Sequence, residues 1–162
     1  MAENQEGRRR AAADRDAGRK GKTHTATGSR GRTADLAAAA DLNAAFAFAH
    51  VLGSDGMVEP ARLTNELRIS KQELATAAGL SRDAVSKTAR LKAPATQGRL
   101  RDFIEIIARV LPWAGSVPHA FAWYRAQPLP SFGDQTAEDL VKAGRAEAVK
   151  AYLSRLAVGG YA

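Results

Sequence analysis

The hydrophobic positions of the chain first become periodic at about Ala34 and predict a helix that ends before Gly53. They recur at steps of three and four residues, which places them on one face of an α-helix. These positions are Leu42, Ala45, Phe46, Ala49 and Leu52. The preceding segment, residues 1–33, has almost no large apolar side chain, so it cannot bury enough surface to offset the entropy of ordering and is predicted to be disordered.

A second and stronger apolar stripe comes later in the chain and is predicted to end at Pro112, which cannot continue a helix. Its members are Leu100, Phe103, Ile104, Ile107 and Leu111. Between the two stripes, Pro60 suits the first turn of a short helix through Leu67. We find no run of alternating β-branched residues and no hairpin signal between such runs. The pattern predicts an all-α fold, a helical bundle.

Residues 70–90 have the spacing of a helix-turn-helix. Ser70 begins a capping box at the start of the first helix. Ala75 is small, so the second helix can cross close over the first, and Gly79 lies where the turn favours a positive φ. Val85 is expected to pack back between the two helices. An αα-corner can show part of this spacing by chance, but the whole set favours a DNA-binding geometry.

The outward face of the predicted second helix carries cations and hydroxyls that suit phosphates and base edges. With the early side chain of the first helix and the Ser81 cap, the predicted DNA-binding residues are Gln72, Ser81, Arg82, Asp83, Ser86, Lys87 and Arg90. One such unit buries little DNA surface, so we expect a homodimer on an inverted repeat. The alternative is a degenerate motif kept as a structural platform or dimer surface, because Asp83 would repel phosphate unless it accepts a hydrogen bond from a cytosine amino group.

The C-terminal part of the chain predicts three further helices. The first covers residues 116–126, and the second begins at Thr136 and ends at Gly144. The last runs from Arg145 to about Ala157, and Gly159-Gly160 supplies its C-cap and a hinge. Four aromatic residues in this part are expected to be core residues rather than contacts. They are Trp123, Tyr124, Phe132 and Tyr152.

Tyr161 comes directly after the diglycine and is interpreted as an anchor that enters a cleft of another protein. A Tyr side chain buries a large amphipathic surface while ordering only two torsions. The carboxylate of Ala162 could then meet an arginine of that partner. Arg145 and Arg155 are either interface cations or members of a solvated helix face.

The charge of the chain favours acidic partners, of which nucleic acid is the commonest. The formal net charge is +7 over 162 residues, and residues 1–33 hold nine Lys and Arg against four Asp and Glu. This basic arm could touch phosphates non-specifically or only keep the chain in solution. The absence of cysteine excludes disulfides and thiolate metal sites and fits a reducing compartment. With no apolar run of membrane length, we expect a cytoplasmic protein with no membrane partner.

The chain shows no set of residues typical of an enzyme. The three histidines, His24, His50 and His119, lack metal-ligand spacing with a partner. No nucleophile elbow, phosphate loop or dinucleotide fingerprint is present. We therefore predict no catalytic residues, no metal and no cofactor.

Taken together, the C-terminal residues resemble the toxin-binding domain of the Xre/MbcA/ParS antitoxin family. The resemblance lies in Trp123-Tyr124-Arg125, Pro128, Pro130, Phe132-Gly133, Thr136-Ala137-Glu138-Asp139-Leu140-Val141, Gly144-Arg145, Val149, Tyr152-Leu153 and Gly159-Gly160-Tyr161-Ala162. It is close over about the last forty residues and looser over the preceding helices, whose helix-turn-helix is of the Xre type.

The resemblance implies an antitoxin of a type II toxin-antitoxin system. Such a protein neutralises a RES-domain toxin that consumes NAD, by placing its C-terminal end at the entrance of the NAD pocket, and commonly represses its own operon. A homodimer would form a larger hetero-oligomer with the toxin. The implied toxin-binding residues here are Arg155, Gly159, Gly160, Tyr161 and Ala162.

These predictions divide the chain into three parts. Residues 1–33 form the basic arm, residues 34–112 a helical domain for DNA binding and dimerisation, and residues 113–162 the toxin-binding domain. The alternative function is a stand-alone helix-turn-helix transcription regulator whose C-terminal module serves oligomerisation or ligand binding.

Overall fold

The structure is a computed structural model that describes residues 46–159. This part of the chain is mostly helical, which confirms the predicted all-α class. Its α-helices are α1 (Pro60–Leu67), α2 (Lys71–Ala77), α3 (Arg82–Ser86), α4 (Thr88–Leu91), α5 (Pro94–Ala114), α6 (Val117–Ala126), α7 (Ala137–Lys142) and α8 (Ala146–Ala157). Two short strands, β1 (Pro128–Leu129) and β2 (Gln135–Thr136), lie between α6 and α7.

Local sequence signals determine where most of these helices begin. Pro60 occupies the first turn of α1, where its missing N–H would have had no helical partner. The hydroxyls of Ser81, Ser116 and Thr136 each accept a hydrogen bond from a backbone N–H three residues later. These starts agree with the predicted ones.

Helix α5 is the centre of the fold and packs against both α6 and α8. The predicted stripe is buried along it except for Leu111, which is half-buried. Ile106 and Val110 are buried as well, so more than one face of the helix is covered. The predicted stop at Pro112 is wrong, because α5 continues to Ala114. A proline in the last turn removes one hydrogen bond, whereas Gly115, with φ of 77°, is where the helix ends.

The apolar face predicted before Gly53 is wrong in the part that the structure describes. Phe48 and Val51 are buried, whereas Phe46 is 75% exposed and Leu52 is 37% exposed. The chain leaves α-helical geometry at Phe48 and makes a 3-10 turn over Ala49–Val51. A period of 3.6 residues no longer applies there. The remainder of that predicted helix, residues 34–45, lies outside the described residues.

The two strands form an antiparallel pair, with Pro128 opposite Thr136 and Leu129 opposite Gln135. A 3-10 turn over Pro130–Phe132 joins them. The sequence did not predict this hairpin, because two-residue strands are too short to show an alternating pattern. It buries Leu129 in the core and leads the chain from α6 into α7.

The buried apolar side chains form one cluster that contains residues from both sides of Pro112. Leu74 and Phe103 lie in it together with Leu140 and Leu153. The predicted segments 34–112 and 113–162 therefore share a core, and their division into a DNA-binding and a toxin-binding unit stays a prediction. Among the helices of residues 46–159, none has the length and apolar character needed to cross a membrane.

Candidate DNA-binding and partner-binding surfaces

We call residues 70–91, which contain α2, α3 and α4, the corner. At its start the Ser70 hydroxyl accepts a hydrogen bond from Glu73 N at 3.1 Å, and Glu73 Oε2 accepts one from Ser70 N at 2.8 Å. The predicted capping box is present. The hydrogen bonds from the backbone and the hydroxyl of Ser70 hold the pKa of the Glu73 carboxyl below its ordinary value. The capping box thereby satisfies the N–H groups of Ser70 and Glu73 at the start of α2.

The turn of the corner has the geometry predicted from its small residues. Gly79 has φ of 63°, and Leu80 N donates a hydrogen bond to Ala75 O at 2.8 Å. Ala75 and Val85 are both buried. Ala75 and Val85 thus pack α3 against α2, as their spacing in the sequence predicts.

The single second helix predicted for the corner is in fact two helices. Helix α3 ends at Ser86, Lys87 is extended with φ of −96° and ψ of 122°, and α4 begins at Thr88. Ser and Thr are weak helix formers because their side chains compete for nearby backbone groups. After the break, Leu91 on α4 packs against the core. Lys87 therefore lies at a junction, and Arg90 lies on α4.

The predicted DNA-binding side chains all reach the surface of the corner. Gln72, Ser81, Arg82, Ser86, Lys87 and Arg90 are exposed, and Asp83 is half-buried. Lys87 Nζ lies 2.7 Å from Asp83 Oδ2, and Arg90 Nη1 lies 3.7 Å from the same oxygen. The hydrogen bond from Lys87 holds the pKa of Asp83 below its ordinary value. The carboxylate of Asp83 thus partly neutralises two of the cations that the sequence predicts to bind DNA.

The turn of the corner is attached to the C-terminal part of the chain. Tyr124 Oη donates a hydrogen bond to Ala77 O at 2.6 Å. Arg99 Nη1 donates to Val141 O at 3.2 Å and, at 3.5 Å, to Gly79 O. Sequence reasoning missed Arg99, because its partners are backbone carbonyls far away in the chain. These bonds hold the ends of α2 and α7 beside each other.

Helix α8 is held on α5 by a group of charged side chains. Lys150 is buried and lies 3.0 Å from Asp102 Oδ1 and 3.2 Å from Glu105 Oε2, and it also pairs with Glu147. Burial opposes its charge, but the hydrogen bonds to these carboxylates prevail and raise the pKa of Lys150. Arg109 Nη1 adds a hydrogen bond to Lys150 O at 3.0 Å. The sequence analysis singled out none of these residues.

The C-terminal end of α8 carries two of the predicted toxin-binding residues. Gly159 has φ of 78°, and its N–H donates to Leu156 O at 3.0 Å, as a glycine after a helix commonly does. The guanidinium carbon of Arg155 lies 6.0 Å from the centre of the Tyr152 ring. Gly160, Tyr161 and Ala162 lie outside the described residues.

The four predicted core aromatics are buried or packed against the core. Tyr124 and Tyr152 are buried, and Trp123 and Phe132 are half-buried against the core cluster.

Within residues 46–159, no group of three or more His, Asp or Glu side chains is placed to hold a metal ion. The candidate surfaces are therefore the corner and the end of α8.

No protein-family model matches the chain, and neither the curated proteins nor the solved structures contain a significant match. The resemblance to the antitoxin family remains a prediction from the residues themselves.

Proposed function

We propose that the protein is an antitoxin that binds and inhibits an NAD-consuming RES-domain toxin with the segment after α8. The observation that carries this proposal is the contrast between a firmly held helix and its exposed end. Val149, Leu153 and Lys150 are buried, whereas Val158 is 41% exposed and Gly159 is exposed. A rigid helix that ends in an exposed glycine presents the next residues to a partner at little cost in ordering entropy.

The residues after Gly159 suit insertion into a pocket. Gly160 has the conformational freedom to turn the chain away from the helix axis. Tyr161 then supplies an amphipathic ring of the kind that contributes most to binding at protein interfaces. An NAD site is a concave pocket with groups for phosphates and aromatic rings, and such a segment would exclude the nucleotide by occupying it.

DNA binding by the corner is the second part of the proposal. The exposed polar face of α2 and α3 has the residue types that contact phosphates and base edges. The short α3 and the paired Asp83 leave a modest positive surface, which favours binding as a dimer. The proposed protein is a cytoplasmic homodimer that represses its own operon and joins the toxin in a larger complex.

Co-expression with a candidate RES-domain toxin tests the proposal. The full chain is expected to restore growth and to co-purify with the toxin, and a variant lacking residues 160–162 is expected to lose the rescue. The matched control is Arg82→Ala with Lys87→Ala, which changes the corner and should keep full rescue while losing operator binding in a mobility-shift titration.

Two results would contradict the proposal. Full rescue by the shortened variant would remove the inhibitory role of the segment after α8. Operator binding by a chain that neither rescues growth nor binds any RES-domain protein would favour the stand-alone transcription regulator.

A further inference from the structure

Two arginines, one directly before α8 and one in its last turn, lie near the rings of an aromatic pair. The guanidinium carbon of Arg145 is 5.4 Å from the centre of the Phe132 ring, and that of Arg155 is 6.0 Å from the centre of the Tyr152 ring. The two rings contact each other edge to face, with centres 5.8 Å apart. We call these four residues the arginine–aromatic strip.

The strip extends from the residue before α8 to the last turn of that helix. Arg145 is the N-cap of α8, Tyr152 and Arg155 are three residues apart on one side of the helix, and Arg155 comes four residues before Gly159. The strip is therefore continuous with the segment that we propose to enter the toxin. A partner bound at that segment would lie beside the strip.

The charge of the two arginines is not balanced within the described part of the chain. Both side chains are exposed, and no carboxylate of residues 46–159 forms an ion pair with either guanidinium. The neighbouring cations differ, because Arg125 and Lys142 both pair with Glu138, and Lys150 pairs with Glu147. The uncompensated positive charge of this surface is thus concentrated at two points.

The contact with a ring leaves these two arginines able to form directed hydrogen bonds. The five N–H donors of a guanidinium lie in its plane and point outward from its edge. Such a group binds a carboxylate through two parallel hydrogen bonds. Because the ring already restricts the arginine, less freedom is lost when the carboxylate binds.

We infer that the strip is a docking surface for a carboxylate-bearing face of the RES-domain toxin, next to the site that receives the segment after α8. The inference rests on the proposed function and deepens it. A protein surface is favoured over nucleic acid, because arginine and aromatic residues together are typical of protein interfaces and the strip has two separated charges without accompanying lysines.

Titration calorimetry of the full chain with the RES-domain toxin that it neutralises in the co-expression test measures the contribution of the strip. The variant is Arg145→Glu with Arg155→Gln. Glutamate is favourable at the start of a helix and glutamine is a good helix former, so both changes preserve α8. We expect the dissociation constant to rise about 30- to 100-fold, as for the loss of central interface arginines. Arg145→Lys with Arg155→Lys should give an intermediate loss, because an ammonium group lacks the planar fork.

The matched control is Arg82→Glu with Lys87→Gln, which removes the same charge from the corner and should leave toxin affinity unchanged. Toxin affinity within about twofold of the native value for the strip variant would overturn the inference while leaving the proposed function intact. Loss of DNA binding by the strip variant, with unchanged toxin binding, would assign the strip to phosphates. If the native chain does not bind the toxin at all, the proposed function fails, and the assignment of the strip fails with it.

Discussion

The corner and the C-terminal helix pair, α7 and α8, have the same turn after their first helix but present different surfaces. Helices α2 and α7 both begin with a capping box, at Ser70 and at Thr136. Both end at a glycine with positive φ, 63° at Gly79 and 77° at Gly144. In each case the next residue donates a hydrogen bond of 2.8 Å to the carbonyl five residues before it. Similar short sequences thus produce the same turn twice.

The two regions differ in the helix that comes after the turn. Helix α3 has five residues, and Lys87, directly after it, pairs with Asp83 on the same surface. Helix α8 has twelve residues and is held by buried contacts, and the exposed Arg145, directly before it, and Arg155, in its last turn, lie near rings. The same local turn therefore precedes two helices that differ in length and in the charge pairing of their exposed cations.

The two turns also differ in the space around their glycines. A Cβ on Gly79 would lie 2.9 Å from Arg99 Nη1 and 3.0 Å from the backbone Cα of Lys142, whereas one on Gly144 has its nearest neighbour at 4.0 Å. We expect Gly79→Ala to lower the free energy of unfolding by about 2–4 kcal/mol, and Gly144→Ala by about 1–2 kcal/mol from backbone strain alone. Denaturant unfolding of both variants measures the difference. Equal losses would mean that the turn of the corner is not packed against α7.

Removing the hydrogen bond from Tyr124 to the corner should give the next largest loss of stability. Tyr124→Phe leaves the carbonyl of Ala77 without this donor and should lower the free energy of unfolding by about 1–3 kcal/mol. Tyr152→Phe is the control, because its hydroxyl has no hydrogen-bond partner within residues 46–159, and the change should be nearly neutral. A neutral Tyr124→Phe would show that this bond does not hold the two regions together.

Raising the pH should lower the free energy of unfolding gradually, through Tyr124, which is bonded to the corner, and Lys150, which holds α8 on α5. Burial raises the pKa of Tyr124, and hydrogen bonds to carboxylates outweigh burial and raise the pKa of Lys150. A group whose pKa is raised in the folded state stabilises the fold fully when the pH is below its pKa in the unfolded chain. That unfolded pKa is 10.0 for Tyr and 10.5 for Lys, and the stabilisation is lost as the pH rises above it. Unfolding curves should therefore show falling stability above about pH 10, and Tyr124→Phe should reduce the slope. A flat profile in this range would contradict both shifts.

The smallest expected effect concerns the charge pairing of the corner. Asp83→Asn releases Lys87 and Arg90 from their carboxylate and should tighten non-specific DNA binding about two- to fivefold at low salt, with a steeper salt dependence. The control is Asp134→Asn on the hairpin turn, which removes the same charge outside the corner. Asparagine is tolerated there, where φ is 60°. Equal tightening by both variants would reflect net charge alone, and unchanged binding by Asp83→Asn would remove the corner from DNA contact.

The parts of this fold that the sequence predicts are those set by neighbouring residues. The capping box at Ser70 and the positive φ of Gly79 follow from residue type and spacing within a single turn. The contacts of Arg99 with Val141 and of Lys150 with Asp102 join residues 42 and 48 positions apart. Such contacts depend on how the helices pack, and residue spacing carries no signal for them.

The candidate surfaces were predictable to a similar extent. The exposure of Arg82 follows from helix periodicity once the buried positions of the corner are known. The break at Lys87 does not follow, because the flanking Ser and Thr lower helix propensity only slightly and propensity alone does not end a helix. The contact of Arg145 with the Phe132 ring requires the hairpin, whose strands are too short to be seen in the sequence.

Inhibition of NAD consumption by the purified RES-domain toxin tests the central claim most directly. The full chain, added in increasing amounts, should stop NAD loss at a fixed molar ratio to the toxin. The variant lacking residues 160–162 should still bind through α8 but leave the NAD pocket open, so NAD loss should continue at saturating variant. Equal inhibition by both proteins, or no inhibition by the full chain, would contradict an antitoxin that acts through the segment after α8.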